Sequence, residues 1–432
     1  YDDYMAAVIC ALRHRNTRNR AAAMLERMEK QNRIFSGFDA DAIDRTTAAD
    51  LAEVGSDKWT RYPGCIGAFI AEMDYGLAPC IQQAIDSACD HCKLGYIPEP
   101  WKRRVAEACA GWQKSHYGWD VDPDIIRVVP DVLEAYEIFL RELVGAGNAV
   151  VVPTPAYMPF LSVPKLYDVD VIEIEMLQGT DETTGEREWL FDFDAIEQAF
   201  ANGCHAFVLC NPHNPIGKVL TREEMLRLSD LAAKYDVRIF SDEIHAPFVY
   251  QGHTHVPFAS INRQTAMQAF TSTSASKSFN IPGTKCAQVI LTNPDDLELW
   301  MRNAEWSEHQ TATIGAIATT AAYDGGAAWF EGVMAYIERN IALVNEQMRT
   351  RFAKVRYVEP QGTYIAWLDF SPLGIGDPAN YFFKKANVAL TDGRECGEVG
   401  RGCVRMNFAM PYPLLEECFD RMAVALEADG LL

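Results

Sequence analysis

An open, mostly parallel α/β sheet joined to a second, smaller α+β unit is the architecture this sequence predicts, and three observations predict it. Around Val128 to Leu291, seven short β-branched runs (IIRVV, AVVVP, DVIEIE, AFVLC, VRIFSD, AFTST and AQVIL) alternate with helical stretches. Such alternation belongs to a sheet covered by helices on both faces. After about residue 315, long helical patterns give way to the strand-like YIAWLDF and CVRMNF. The chain of 432 residues is also too long for one ordinary core and suits two domains, each of roughly 100 to 200 residues or somewhat more.

In chain order, residues 1 to about 35 read as a charged helical arm (RNRAAAMLERMEKQNR), with no Pro or Gly before Gly37. The segment GTDETTGEREW, Gly179 to Trp189, reads as an acidic surface loop. Hydrophobic residues at 49% and charged residues at 23% belong to a soluble globular protein. A net charge of -21 repels nucleic acid and anionic membrane surfaces, which leaves small molecules as the expected ligands. No apolar run approaches the roughly 18 residues of a spanning helix. The start YDDYMAAVICALRHR carries acid where a secretory signal carries base, so a cytoplasmic protein is expected. The twelve cysteines are scattered without the spacing of a disulfide scaffold. Cys89-Asp-His-Cys92 has no second pair at zinc spacing, and no metal is expected.

Open α/β sheets bind ligands at the carboxyl ends of their strands, so the polar residues just after each run carry the functional information. Thr271 to Lys285 (TSTSASKSFNIPGTK) sets Lys277 among small hydroxyl residues after a strand. A desolvated amine there can form an imine, and Ser274, Ser276 and Lys285 can donate to a phosphate. Phe240-Ser-Asp242-Glu-Ile-His245 delivers a carboxylate to a strand end, which suits an anchor for a protonated pyridine nitrogen. A helix cap or a metal ligand set with Glu243 and His245 is the blander reading. Asn211-Pro-His-Asn214-Pro-Ile-Gly217 forms a rigid turn at the same edge, where an amide can donate to a phenolic oxygen.

Taken together, these strings resemble the fold-type I enzymes of pyridoxal 5'-phosphate (PLP), and most closely the MalY/PatB-type cystathionine β-lyases, a carbon–sulfur lyase branch of the aminotransferase family. The similarity runs from about Phe38 to the C-terminus. It takes in Ile43-Asp-Arg45, Lys58-Trp59, Ala71-Glu-Met-Asp74, Thr154-Pro-Ala-Tyr157, Ser276-Lys-Ser-Phe-Asn280, Gly362 to Asp369 and Gly400 to Asn407. The resemblance implies PLP on Lys277, which is also the catalytic base, with Asp242 on the pyridine nitrogen and Asn214 on the phenolic oxygen. Tyr157 stacks on one ring face and Ile244 lies against the other, beside His245. The backbone at Asp131 and Val132 cradles the phosphate, where a helix N-terminus suits an anion. Arg405 grips the substrate α-carboxylate through its planar fork, and Asp74 and Tyr96 join it in substrate binding. An amino-acid substrate and a homodimer with its sites at the interface follow, Tyr62 and Tyr96 being candidates for reaching the partner's cofactor. The organisation implied is an arm (1–35), a small-domain segment (36–75), a large PLP-binding domain (76–314) and a C-terminal small domain (315–432).

Four positions depart from the customary pattern. Asp131 stands where Gly or Ser is usual, setting a carboxylate beside a phosphate unless it turns away or caps the helix. Ile216 replaces the threonine of N-P-T-G, and Lys285 replaces a phosphate-binding arginine. His245 replaces the tyrosine of aminotransferases, an exchange shared with the lyase branch. β-Elimination of a thiol from an L-amino acid is therefore the expected reaction. An aminotransferase uses the same lysine, aspartate and arginine and is the closest alternative, followed by a regulatory protein-binding role on the same fold. A nucleotide-binding protein ranks last, because the chain has neither G-x-x-x-x-G-K-S nor G-x-G-x-x-G.

Overall fold

The computed structural model describes residues 37–180, 185 and 187–432, so the helical arm expected at 1–35 lies outside the described residues. All seven β-branched runs form one sheet. Its order from one edge is Ile126–Val129, Ala287–Ile290, Ala269–Thr273, Arg238–Asp242, Ala206–Cys210, Ala149–Thr154 and Asp170–Glu175. Only Ala287–Ile290 runs against its neighbours; the remaining pairings are parallel.

Side chains on successive strand residues point to opposite faces, and both faces are buried here except along the edge strand Asp170–Glu175. Val151, Phe207, Leu209 and Ile239 join one core with the helices Phe193–Ala201 and Arg222–Lys234. Val150, Val152, Val208, Phe240 and Phe270 join the other with the helix Val132–Phe139. This two-sided burial is why the runs read as continuous β-branched stretches.

A second sheet, ordered Arg356–Tyr357, Ile365–Asp369, Cys403–Asn407 and Thr391–Asp392, is antiparallel. It shares a third core with the 24-residue helix Ala327–Thr350 and the C-terminal helix Tyr412–Ala428. Chain near the N-terminus enters that core too, through Phe38, Ile43, Leu51 and Trp59. Ile66–Gly67 pairs in parallel with Val388–Ala389.

Gly179 to Trp189 corrects the expectation of a loop. Leu177–Thr180 pairs antiparallel with Arg187–Leu190, Gly179 facing Glu188 and Gln178 facing Trp189, while 181–184 and 186 lie outside the described residues. The acidic composition hid the hairpin because its anchor is one residue, the buried Trp189. Cys89 and Cys92 are exposed at the end of the helix Pro79–Asp90. Among the described residues no cluster of His, Cys, Asp or Glu could hold a metal, and no helix is long and apolar enough to cross a membrane.

Candidate active site

Pairing in the large sheet sets the polar strand ends side by side: Asp242 lies opposite Cys210 on one neighbour and Ser272 on the other. From this edge the chain turns into Asn211–Gly217, Glu243–His245 and Ser274–Lys277. Together with the N-terminus of the Val132–Phe139 helix they line a cavity of about 210 Å³. Asp131, Val132, Tyr157, Asn214, Asp242, Ile244, His245, Ser274, Ser276, Lys277 and Lys285, all read from the sequence as cofactor residues, line it. Ala71, Pro130, Leu133, Pro282 and Cys286 complete the wall.

Asp242 is buried and Lys277 partly so, whereas Asp131 and Lys285 on the same wall are open to water and paired with each other. The Asp242 carboxyl is pushed up to about 7, chiefly by burial and further by Glu243, against the opposing pull of the Ile244 amide and Lys277. Its Oδ1 accepts from Ile244 N at 3.0 Å, and among the described residues its Oδ2 has only the weak Cys210 thiol at 3.9 Å. A carboxylate so poorly satisfied favours a cationic N–H partner. Burial, reinforced by Arg405, lowers the Lys277 amine to about 8, where its neutral, nucleophilic form is accessible near neutrality. Its Nζ donates to Ala71 O at 2.8 Å. Burial likewise holds His245 down at about 3, so its ring is neutral, and its Nδ1 has no hydrogen-bond partner among the described residues.

The Asp131 conflict is resolved by the cap. Asp131 Oδ1 accepts from Glu134 N at 2.9 Å, and Oδ2 accepts from Lys285 Nζ at 2.8 Å, which neutralises the carboxylate beside the helix N-terminus. Ser274 is similarly committed: its hydroxyl donates to Cys286 O and accepts from Ser276 N, each at 3.0 Å. Asn214 Oδ1 accepts from Arg405 Nη1 at 3.3 Å. Arg405, 4% exposed, also donates to Phe69 O at 2.7 Å.

Arg405 opens onto a second cleft of about 300 Å³, which shares Ala71, Tyr157 and Lys277 with the first. Sequence reasoning missed most of its lining, including Arg61, Phe69, Met158 and Glu395. Ala71 belongs to the Ala71-Glu-Met-Asp74 string shared with the family, with no sign that its carbonyl would hold the lysine. Arg61 and Glu395 sit at exposed polar positions, where no periodicity marks function.

The structure separates the remaining candidates. Tyr62 lines the second cleft, whereas Tyr96 is 93% exposed and lines neither cavity. Asp74 departs from the expected place beside the substrate. It lines neither cavity, and its carboxylate is bound to Lys58 Nζ at 2.7 Å and Trp59 Nε1 at 2.9 Å. A buried lysine needs a counter-charge more than a solvated substrate does.

The residues present fit PLP: a buried acid for a ring N–H, a desolvated amine for an aldehyde, apolar walls in Tyr157 and Ile244, and a helix N-terminus with Lys285 for a phosphate. Fold and site thus define a PLP enzyme built on the seven-stranded sheet. The chain belongs to the aminotransferase class I and II family, whose model matches residues 72–422. It is 33% identical to the cystathionine β-lyase of Corynebacterium glutamicum, over 85% of this chain and 96% of that protein. With the cystathionine β-lyase PatB of Bacillus subtilis it shares 30% identity over 83% of this chain and 92% of that one. The structure of cystalysin from Treponema denticola, which contains a PLP cofactor, superposes with a TM-score of 0.82 at 27% identity, covering 89% of this chain and 98% of that one. Within the family, the chain is a PLP-dependent carbon–sulfur lyase.

Proposed function

We propose that the enzyme cleaves the Cβ–S bond of L-cystathionine or an S-substituted L-cysteine, with water as the second reactant and a thiol, pyruvate and ammonia as products. The observation that supports this is the convergence of Lys277, Asp242 and Arg405 on two joined cavities, with amine and acid both displaced towards neutrality. PLP, when bound, supplies an electron sink that weakens the bonds at the substrate Cα. Lys277 carries the cofactor and then, as a free amine, takes the proton from Cα. Asp242 keeps the ring nitrogen protonated, and Asn214 donates its amide N–H to the phenolic oxygen while its Oδ1 faces Arg405. Arg405 binds the α-carboxylate through a planar fork, which fixes the Cα–H direction towards Lys277. Tyr157 and Ile244 exclude water from the two ring faces.

The proposed working unit is a homodimer in which Tyr96 reaches the partner's cofactor, a role supported by its exposure and its absence from the lining of this chain's own two cavities. A cytoplasmic location completes the reading, supported by an acidic chain whose cysteines lack disulfide spacing. The test is incubation of PLP-loaded protein with L-cystathionine and assay of pyruvate and free thiol, expected in equal amounts. Pyridoxamine phosphate accumulating with a 2-oxo acid, and no thiol, would overturn the lyase in favour of transamination.

A further inference from the structure

The second cleft has more chemistry than the thioether reaction at Cβ demands. Tyr62, Phe69, Met158 and Leu390 supply apolar wall, with the Tyr62 and Phe69 rings 5.2 Å apart. Two ionic groups of opposite sign, Arg61 and Glu395, line the same cleft. The Arg61 guanidinium lies 5.2 Å from the centroid of the Phe69 ring, and Asp57 binds it through Nε and Nη2. That contact occupies one edge of the fork and orients it. The Tyr62 hydroxyl also meets the guanidinium, and the N–H groups left over are donors for a second carboxylate. Glu395 makes no hydrogen bond or ion pair to any described residue, and its two oxygens are acceptors for an ammonium.

We infer that this cleft is a subsite for a zwitterionic distal arm, Arg61 taking the distal carboxylate of the substrate and Glu395 its distal ammonium. The inference rests on the lyase reading and narrows its substrate class to thioethers whose leaving thiol is itself an amino acid. The apolar walls cover the methylenes between sulfur and the charged end, and Arg405 remains with the reacting carboxylate. An uncharged S-alkyl cysteine would fill the walls and leave both ions to water.

The test compares thioethers that carry one distal charge each. For S-carboxyethyl-L-cysteine relative to S-methyl-L-cysteine, Arg61→Leu lowers the kcat/KM ratio by about 10-fold or more, and Glu395→Gln does not. For S-aminoethyl-L-cysteine the two variants exchange behaviour. Calorimetric binding of L-cystathionine to the PLP-loaded protein carrying Lys277→Ala gives a readout independent of turnover, and adding Arg61→Leu weakens it by a similar factor. Ratios and binding unchanged in both variants, or moved equally for both charged probes, would overturn the subsite. If the parent releases no thiol from any thioether, the lyase reading fails, and calorimetry alone decides the subsite.

Discussion

At the scale of single residues, function here is made by putting charges where water is not. Asp242 shows the cost. An unfolded aspartate titrates near pH 4, whereas burial moves the folded one to about 7. Below about pH 4 both states hold the proton and the site costs nothing. As pH rises to 7 the unfolded chain loses its proton first, so the cofactor-free fold loses stability, by on the order of 4 kcal/mol once ionisation is complete. Cofactor-free Asp242→Asn therefore gains on the parent as pH rises from 4 to 7, measured by urea unfolding across that range. A difference independent of pH would contradict this origin. Asp242 could be placed at the cavity from the sequence because it ends a β-branched run, and Lys277 and Asn214 because each follows such a run by four residues. Asp74 was misread because a sequence shows a carboxylate but not the lysine folded against it.

At the scale of elements, the five residues Phe69–Met73 form a strap whose carbonyls are all taken by side chains, among which Arg405, Thr391 and Lys277 line the two cavities. Phe69 O accepts from Arg405 and Thr391, Ile70 O from Asn407, and Ala71 O from Lys277 and Tyr364. Glu72 O accepts from Asn407 and Lys58, and Met73 O from Asn280. The strap ends at the buried Lys58–Asp74 pair, where Asp74 N also donates to Ala409 O at 3.1 Å. Removing one member leaves the other charge buried and alone. Lys58→Met is expected to cost about 3–5 kcal/mol, and the double change Lys58→Met with Asp74→Leu clearly less than the two single changes summed. Urea unfolding of the four proteins checks this, and additive costs would contradict it. Ala71-Glu-Met stood out only as part of a string shared with the family, and the strap's bonding was not legible beforehand, because it uses backbone carbonyls, which every residue has.

At the scale of the whole molecule, most of the architecture could be read in advance because a sheet buried on both faces writes its strands as unbroken β-branched runs. The exception is the hairpin at Leu177–Leu190, marked only by Trp189; periodicity alone also gives no hint that Phe38 and Trp59 enter a core shared with residues some 300 positions later, a placement that only the resemblance implied. Pattern reading sees neighbours in sequence, and such contacts are not neighbours. Oligomeric state belongs to this scale as well. If Tyr96 serves the partner's site, Tyr96→Ala and Lys277→Ala proteins are each impaired, and mixing them through a dissociation step restores lyase activity in hybrids that hold one intact site. No recovery in demonstrated hybrids would contradict a shared site. Beneath all of this lies the covalent role of one amine. Borohydride reduction of the PLP-loaded protein, followed by peptide mass spectrometry, is predicted to fix the cofactor on Lys277 and on no other lysine. An unmodified Lys277, or cofactor fixed equally on exposed lysines, would contradict the account.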